Sequence, residues 1–422
     1  MAEWSKAQHS NPNPSTGEII YSFVGLRLRY AVSSDAMSDE SNTVDKPEAD
    51  VDFYDIEFKP PTPSVYGIIG GAGSFAVVGA RMVAGNDHGK AVSWIVDAGS
   101  DFPPDMMDTI LSWNTGCVIR EDKCRLTTRA WNGYGENEKR EQDFKYLTPK
   151  LRLEPYMLSN AQLFSKTFHM VCSSERCIHI VQEILRRRGS ASSDKSARPI
   201  FVWEPVPDLC TPEEQEKFLA ACRVVDLVSP NELELGMMFG RPGWHETDMG
   251  DRKLVQKILE SGIGPENKGA LVIRAGKDGS YSYSKGQKGL WLPAYHQSGS
   301  DQVSKVVDPT GAGNSFLGAL AQGMISNDRE PGQIIDDTLA KSDNWNKIKN
   351  KWGNAGQIPQ ALICATVAAG FVVEQIGVPT IATTNGYETW NGTGFNERLR
   401  NYTQGLCQTL ERFPQDHDWV IV

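Results

Sequence analysis

Short runs of β-branched and aromatic residues alternate along this chain with longer stretches whose apolar positions recur every three or four residues. SVYGIIGGAG (64–73), AVSWIVD (91–97), PIFVWEP (199–205), VVDLVSP (224–230) and GALVIRAG (269–276) have the length and composition of strands. Between them, SFAVVGARMVAG (74–85), DMMDTILSWNTG (105–116), EEQEKFLAACR (213–223) and DRKLVQKILESG (251–262) carry the helical period. This alternation predicts a mostly parallel sheet with helices on its faces. Further on, YSYSKGQKGLWLPAY (281–295) reads as a hairpin. SFLGALAQGMI (315–325) and QALICATVAAGFVVEQIG (360–377) read as strongly apolar helices.

Polar segments punctuate this pattern. Residues 1–18 are rich in Ser, Asn and Pro and read as a loose tail, while 33–50 are acidic and nearly free of apolar side chains. Neither can bury enough surface to offset the entropy of being ordered. The acidic stretch reads as an insertion, because strand-like sequence flanks it on both sides (IIYSFVGLRLRYAV and VDFYDIEF). Residues 189–198 and 326–357 read as polar insertions, and no internal repeat is present.

Composition narrows the function. Lys and Arg number 43 against 53 Asp and Glu, a net charge of −10, which argues against a polyanion partner such as nucleic acid. There is no apolar run of about 18 residues and no apolar segment near Met1, so no membrane role is expected and the protein reads as soluble and cytoplasmic. The eight cysteines form no CxxC pair, and reduced structural thiols are the expectation.

The most informative stretch is Val306-Val307-Asp308-Pro309-Thr310-Gly311-Ala312-Gly313-Asn314-Ser315-Phe316. Two β-branched residues end in an acid, a turn of small residues follows, and an apolar helix starts at once. Amides at Gly311, Ala312 and Gly313 would then face outward at a helix N-terminus, where absent side chains and the helix dipole favour a phosphate. A bare Gly-x-Gly turn needs no ligand. The flanking Asp308, Thr310 and Asn314 make this one more specific.

DPTGAGNSFLGAL resembles the second signature of the PfkB (ribokinase-like) carbohydrate kinase family, usually written D-T-x-G-A-G-D. Gly70-Gly71-Ala72-Gly73 with the helix ending Gly79-Ala80-Arg81 is similar to its first Gly-rich signature. Pro230-Asn231-Glu232-Leu233-Glu234 resembles its N-x-x-E element, Arg274-Ala275-Gly276-Lys277-Asp278-Gly279 its nucleotide loop, and the Ala-rich helix 361–376 its last nucleotide-side helix. TTRAWNGYGENE and FKYLTP are similar to a fungal branch of that family. The resemblance implies a three-layer α/β/α ribokinase-like fold with a mostly parallel central sheet, covering residues 51–422. A small β lid would come from about 51–60 and 117–147, and residues 1–50 would form a tail with a first strand and the acidic insertion.

It also implies ATP and Mg²⁺ as cofactors, a small sugar-like or nucleoside-like hydroxyl substrate, and a homodimer through the lid. Nucleotide would be held by Arg274, Gly276, Lys277, Gly279, Asp308 and Thr310, and Mg²⁺ organised by Asn231 and Glu234. The latter pair, three apart, also suits a helix-capping box. Gly311, Ala312, Gly313 and Asn314 would form the catalytic turn; Gly70, Gly71, Phe75 and Asp55, with Asp52 as its alternative, would face substrate.

Two departures stand out. The family carries a basic Asp where this chain has Asn314, and an amide cannot accept a proton at neutral pH. Ser74-Phe75 replaces the family's substrate-binding Asn, which suggests a less hydroxylated substrate. The alternative reading is a catalytically silent member that binds nucleotide or a partner protein. Gly71-Ala72-Gly73-Ser74-Phe75-Ala76, with Asp97 downstream, also satisfies a dinucleotide-binding fingerprint, but that reading leaves the 306–316 turn unexplained.

Overall fold

The computed structural model describes residues 20–24, 53–58, 64–134, 143–149, 151–191, 198–287, 289–297, 305–326, 329–352, 357–384 and 386–412. The tail 1–18, the acidic stretch 33–50 and Asp52 lie outside these residues. In chain order the strands are β1 (Ile20–Val24), β2 (Phe53–Phe58), β3 (Val65–Ile69), β4 (Val92–Gly99), β5 (Gly116–Asp122), β6 (Arg129–Tyr134), β7 (Asp143–Tyr146), β8 (Thr167–Cys172), β9 (Ile200–Pro205), β10 (Leu227–Val228), β11 (Ala270–Arg274), β12 (Ser280–Ser284), β13 (Leu290–Leu292), β14 (Ile381–Thr384) and β15 (Tyr387–Trp390). The helices are α1 (Gly71–His88), α2 (Pro104–Ser112), α3 (Asn160–Leu163), α4 (Ser174–Ala191), α5 (Gln215–Cys222), α6 (Glu232–Met238), α7 (Met249–Ser261), α8 (Ala312–Gly323), α9 (Glu330–Leu339), α10 (Asp343–Lys351), α11 (Gln357–Val372) and α12 (Phe395–Arg412).

A nine-stranded sheet runs β13-β12-β11-β10-β9-β8-β1-β4-β5. It is parallel from β11 to β5, and the hairpin β12/β13 adds an antiparallel edge. Alternation along each strand divides the core into two layers. Phe201 and Trp203 of β9 enter one and Val202 the other; Leu271 and Ile273 of β11 oppose Ala270 and Val272 in the same way. Helices α3 to α7 cover the first face, and α1, α2 and α8 to α12 the second. This is the three-layer α/β/α arrangement that the alternation and the resemblance imply. The segment expected as a lid includes a separate four-stranded sheet, β3-β2-β6-β7, which takes in β3 beyond the expected ranges, whereas β5 belongs to the main sheet.

Several expectations change. β1 lies between β4 and β8, parallel to both, so the main sheet includes a strand well ahead of residue 51. Within 326–357, read as a polar insertion, α9 and α10 bury Ile334, Ile335, Leu339, Trp345 and Ile348. Their spacing is that of an apolar helix stripe diluted by exposed Lys, Asp and Asn. The β-branched Val306 and Val307 ahead of the turn are exposed and lie outside the sheets, with Val307 N–H donating to the Val373 carbonyl at 2.7 Å. The dinucleotide fingerprint also loses its context. β3, which precedes it, pairs antiparallel with β2 in the lid, and Asp97 is held by Arg120 at 2.5 and 2.6 Å.

Among the described residues no helix is long and apolar enough to cross a membrane, and no group of three or more His, Cys, Asp or Glu is placed to hold a metal ion.

Candidate functional site

α8 begins where the sequence places its small-residue turn. Gly311 caps it at φ +82°, a left-handed conformation that favours glycine. A Cβ there would stand 2.4 Å from the Phe75 ring. Buried Asp308 accepts the Thr310 N–H at 2.9 Å and so folds the turn. The Ala312 amide, expected to face outward, instead donates to the Pro309 carbonyl at 3.2 Å. Beside this turn lies a cavity of about 710 Å³. Gly276, Lys277 and Gly279 from the loop after β11 line one side, Ala312, Gly313 and Phe316 of α8 another, and Thr366, Ala369 and Gly370 of α11 a third. The cavity lies at the carboxyl end of β11, as ligand sites in open α/β sheets do.

An ionic cluster is built around Arg274, which lines the cavity together with Asn231. Arg274, the last residue of β11, gives its Nη2 to Glu204 Oε1 at 2.5 Å, to the Ser229 carbonyl at 3.0 Å and to Glu234 Oε2 at 3.3 Å. Glu204 extends from the end of β9, and its other oxygen accepts Asn314 Nδ2 at 3.0 Å. Asn231 and Glu234 form a capping box at the start of α6. Asn231 Oδ1 takes the Glu234 N–H and Glu234 Oε2 takes the Asn231 N–H, both at 2.8 Å. The donor set expected for magnesium is therefore engaged by its own helix and by a guanidinium.

Burial dominates the titration of these groups. It raises Glu234 to about 7, with Arg274 pulling down and Glu204 pushing up, and it raises Glu204 against the pull of Arg274. Burial, helped by Arg274, pushes His169 down to about 3, so its imidazole stays neutral. A carboxyl that is harder to ionise when folded stabilises the fold fully below its ordinary value, and that contribution is lost as pH rises through the folded value. The denaturation midpoint is expected to fall as pH rises from about 4.5 to about 7, and Glu234→Gln to flatten that slope in urea titrations across pH.

The residues expected to face substrate are placed differently from one another. Asp55 of β2 is buried, takes both its oxygens to Arg129 Nη2 at 3.0 and 2.9 Å, and accepts the Gly67 N–H at 2.8 Å. It ties three lid strands together. Gly70 caps α1 in extended conformation and Gly71 follows at φ +81°. Phe75 is 2% exposed and packs with Ile68 and Ala130 of the lid and with Ala312 and Val372. Its ring packs against Gly311. Glu204 was missed in the sequence, although an acid at the C-terminal end of a parallel strand, in the Trp-Glu-Pro of 203–205, was a signal for it.

Comparison with known proteins gives the same direction. Residues 194–384 match the model described as pfkB family carbohydrate kinase. Protein MAK32 of Saccharomyces cerevisiae is 33% identical over 363 residues, covering 83% of this chain and 87% of that protein. Among solved structures, a ribokinase from Giardia lamblia aligns with a TM-score of 0.56 at 16% identity, covering 93% of this chain and 99% of that one. A putative ribokinase II of E. coli, solved in complex with ATP and Mg²⁺, aligns with a TM-score of 0.51 at 14% identity, covering 94% and 99%.

Proposed function

This chain belongs to the pfkB family of carbohydrate kinases, in the fungal branch that includes Protein MAK32, and on that footing we propose that it is an ATP-dependent phosphotransferase acting on a hydroxyl of a small sugar-like or nucleoside-like substrate. The observation that carries this reading is the 710 Å³ cavity between the loop after β11 and the N-terminus of α8. Its volume suits a nucleotide-sized ligand. The start of α8 aims a positive dipole end and first-turn amides at the phosphates.

Asn314 cannot take the hydroxyl proton, and its side chain is held by a buried carboxylate. Its amide donates to Glu204 at 3.0 Å, and the other oxygen of that carboxylate is paired with Arg274 at 2.5 Å. An Asp at position 314 would face Glu204 at the same distance, and two carboxylates would compete for one proton. The amide removes that repulsion. Transfer would then rest on positioning and on the α8 turn, which stabilises charge on the transferring group, with the hydroxyl proton passing to an oxygen of the transferred phosphate.

The second reading, a silent nucleotide or partner binder, is favoured by Phe75, which closes Gly311 off. Calorimetric titration with ATP is expected to show binding, and Gly313→Asp to weaken it about tenfold or more, because its Cβ would meet Arg274 Nη1 at 2.2 Å and its carboxylate would repel phosphate. Absence of ATP binding would refute both forms of the proposal. ATP binding without phosphate transfer to any sugar or nucleoside, in the native and Phe75→Ala proteins alike, would decide for the silent binder.

A further inference from the structure

We propose that the Arg274 guanidinium is a resident cation for nucleotide phosphates and that this protein binds nucleotide without a divalent metal ion. The inference rests on the reading of the cleft as a nucleotide site.

Magnesium needs oxygen ligands in near-octahedral geometry at about 2.0–2.1 Å and keeps several waters. Here three of the four carboxylate oxygens of Glu204 and Glu234 are engaged, and the Asn231 side-chain oxygen with them. Asn231 Oδ1 closes the α6 capping box, and Glu234 Oε2 serves both that box and Arg274. Glu204 gives one oxygen to Arg274 and the other to Asn314. A metal ion placed among them would meet a fixed positive charge that is held by the same carboxylates.

Arg274 is positioned for the substitute role. It and Gly313 line the same cavity, and its Nη1 lies so close to Gly313 that a Cβ on that glycine would come within 2.2 Å. The ion pairs with Glu204 and Glu234 are made through Nη2, which leaves Nη1 beside Gly313. A guanidinium has five N–H donors in a rigid fork suited to phosphate. Anchored by two glutamates, this one presents its remaining edge beside the α8 turn, so a phosphate there meets a cation and a helix N-terminus together.

The test is ADP binding by calorimetry with excess EDTA and with excess magnesium. Dissociation constants within about threefold of each other, and no thermal shift from millimolar magnesium alone, are expected. In Arg274→Lys, which keeps the charge but lacks the fork, binding in EDTA is expected to weaken about tenfold or more and magnesium to restore part of it. Wild-type binding that falls about tenfold or more in EDTA overturns the inference and leaves the nucleotide site standing. ADP binding absent under both conditions overturns the nucleotide reading, and this inference with it. The wild-type comparison decides the matter even if the variant fails to fold.

Discussion

Arg274→Met is expected to destabilise the protein by about 3–5 kcal/mol near neutral pH, the largest effect of any single change considered. Glu204 and Glu234 are 6% and 5% exposed, and both make their ion pairs with Arg274. With the guanidinium gone, two carboxyl groups face each other in a site that solvates neither. The loss should shrink at about pH 5, where both acids can be protonated. It should shrink again in a Glu204→Gln, Glu234→Gln background, where no charge is stranded. Denaturant titrations of these variants at two pH values give the answer. A loss that is independent of pH and of the Gln substitutions would mean that Arg274 contributes through the packing of its stem alone.

Gly318→Val is expected to cost about 3 kcal/mol or more, through a mechanism with no charges in it. Helices α1 and α8 cross with their backbones touching. A Cβ on Gly318 would lie 1.8 Å from the Ala76 carbonyl oxygen, and one on Gly79 would lie 2.1 Å from that of Ser315. No rotamer change relieves a clash with backbone, so the helices must separate. α1 carries Phe75 and α8 begins at the small-residue turn, so separation also lifts the ring from Gly311. ADP affinity should fall together with stability in this variant. Tight ADP binding retained by a destabilised Gly318→Val would show that the crossing does not position the turn.

The sequence made the sheet legible wherever burial on both faces forced unbroken apolar runs, as in PIFVWEP and GALVIRAG. It hid β8, because TFHMVC mixes Thr and His into a buried strand, and the neutral state of His169 is a consequence of packing that no local pattern announces. Likewise α4 presents a polar surface around a stripe of Cys177, Ile180, Val181 and Ile184. In the site, the turn at 311–313 could be read from its glycines because their need for special backbone angles and close approach is local. The ion cluster could not. Glu204, Glu234 and Arg274 are 30 to 70 residues apart in pairs, and only the parallel order of β9, β10 and β11 brings them together.

The place of β1 bears on how the chain tolerates shortening. Among the described residues β1 alone bridges β8 and β4 in the strand order. A chain started after Val24 would retain all of the 311–314 turn and most of the core, yet its sheet would be split into two blocks. Each block would expose a row of unsatisfied backbone donors and acceptors along β8 and β4, the template on which strands of other molecules add. Chains shortened to begin after Val24 are then expected to aggregate, and a peptide spanning residues 20–24, supplied in trans, is the natural agent to rescue them.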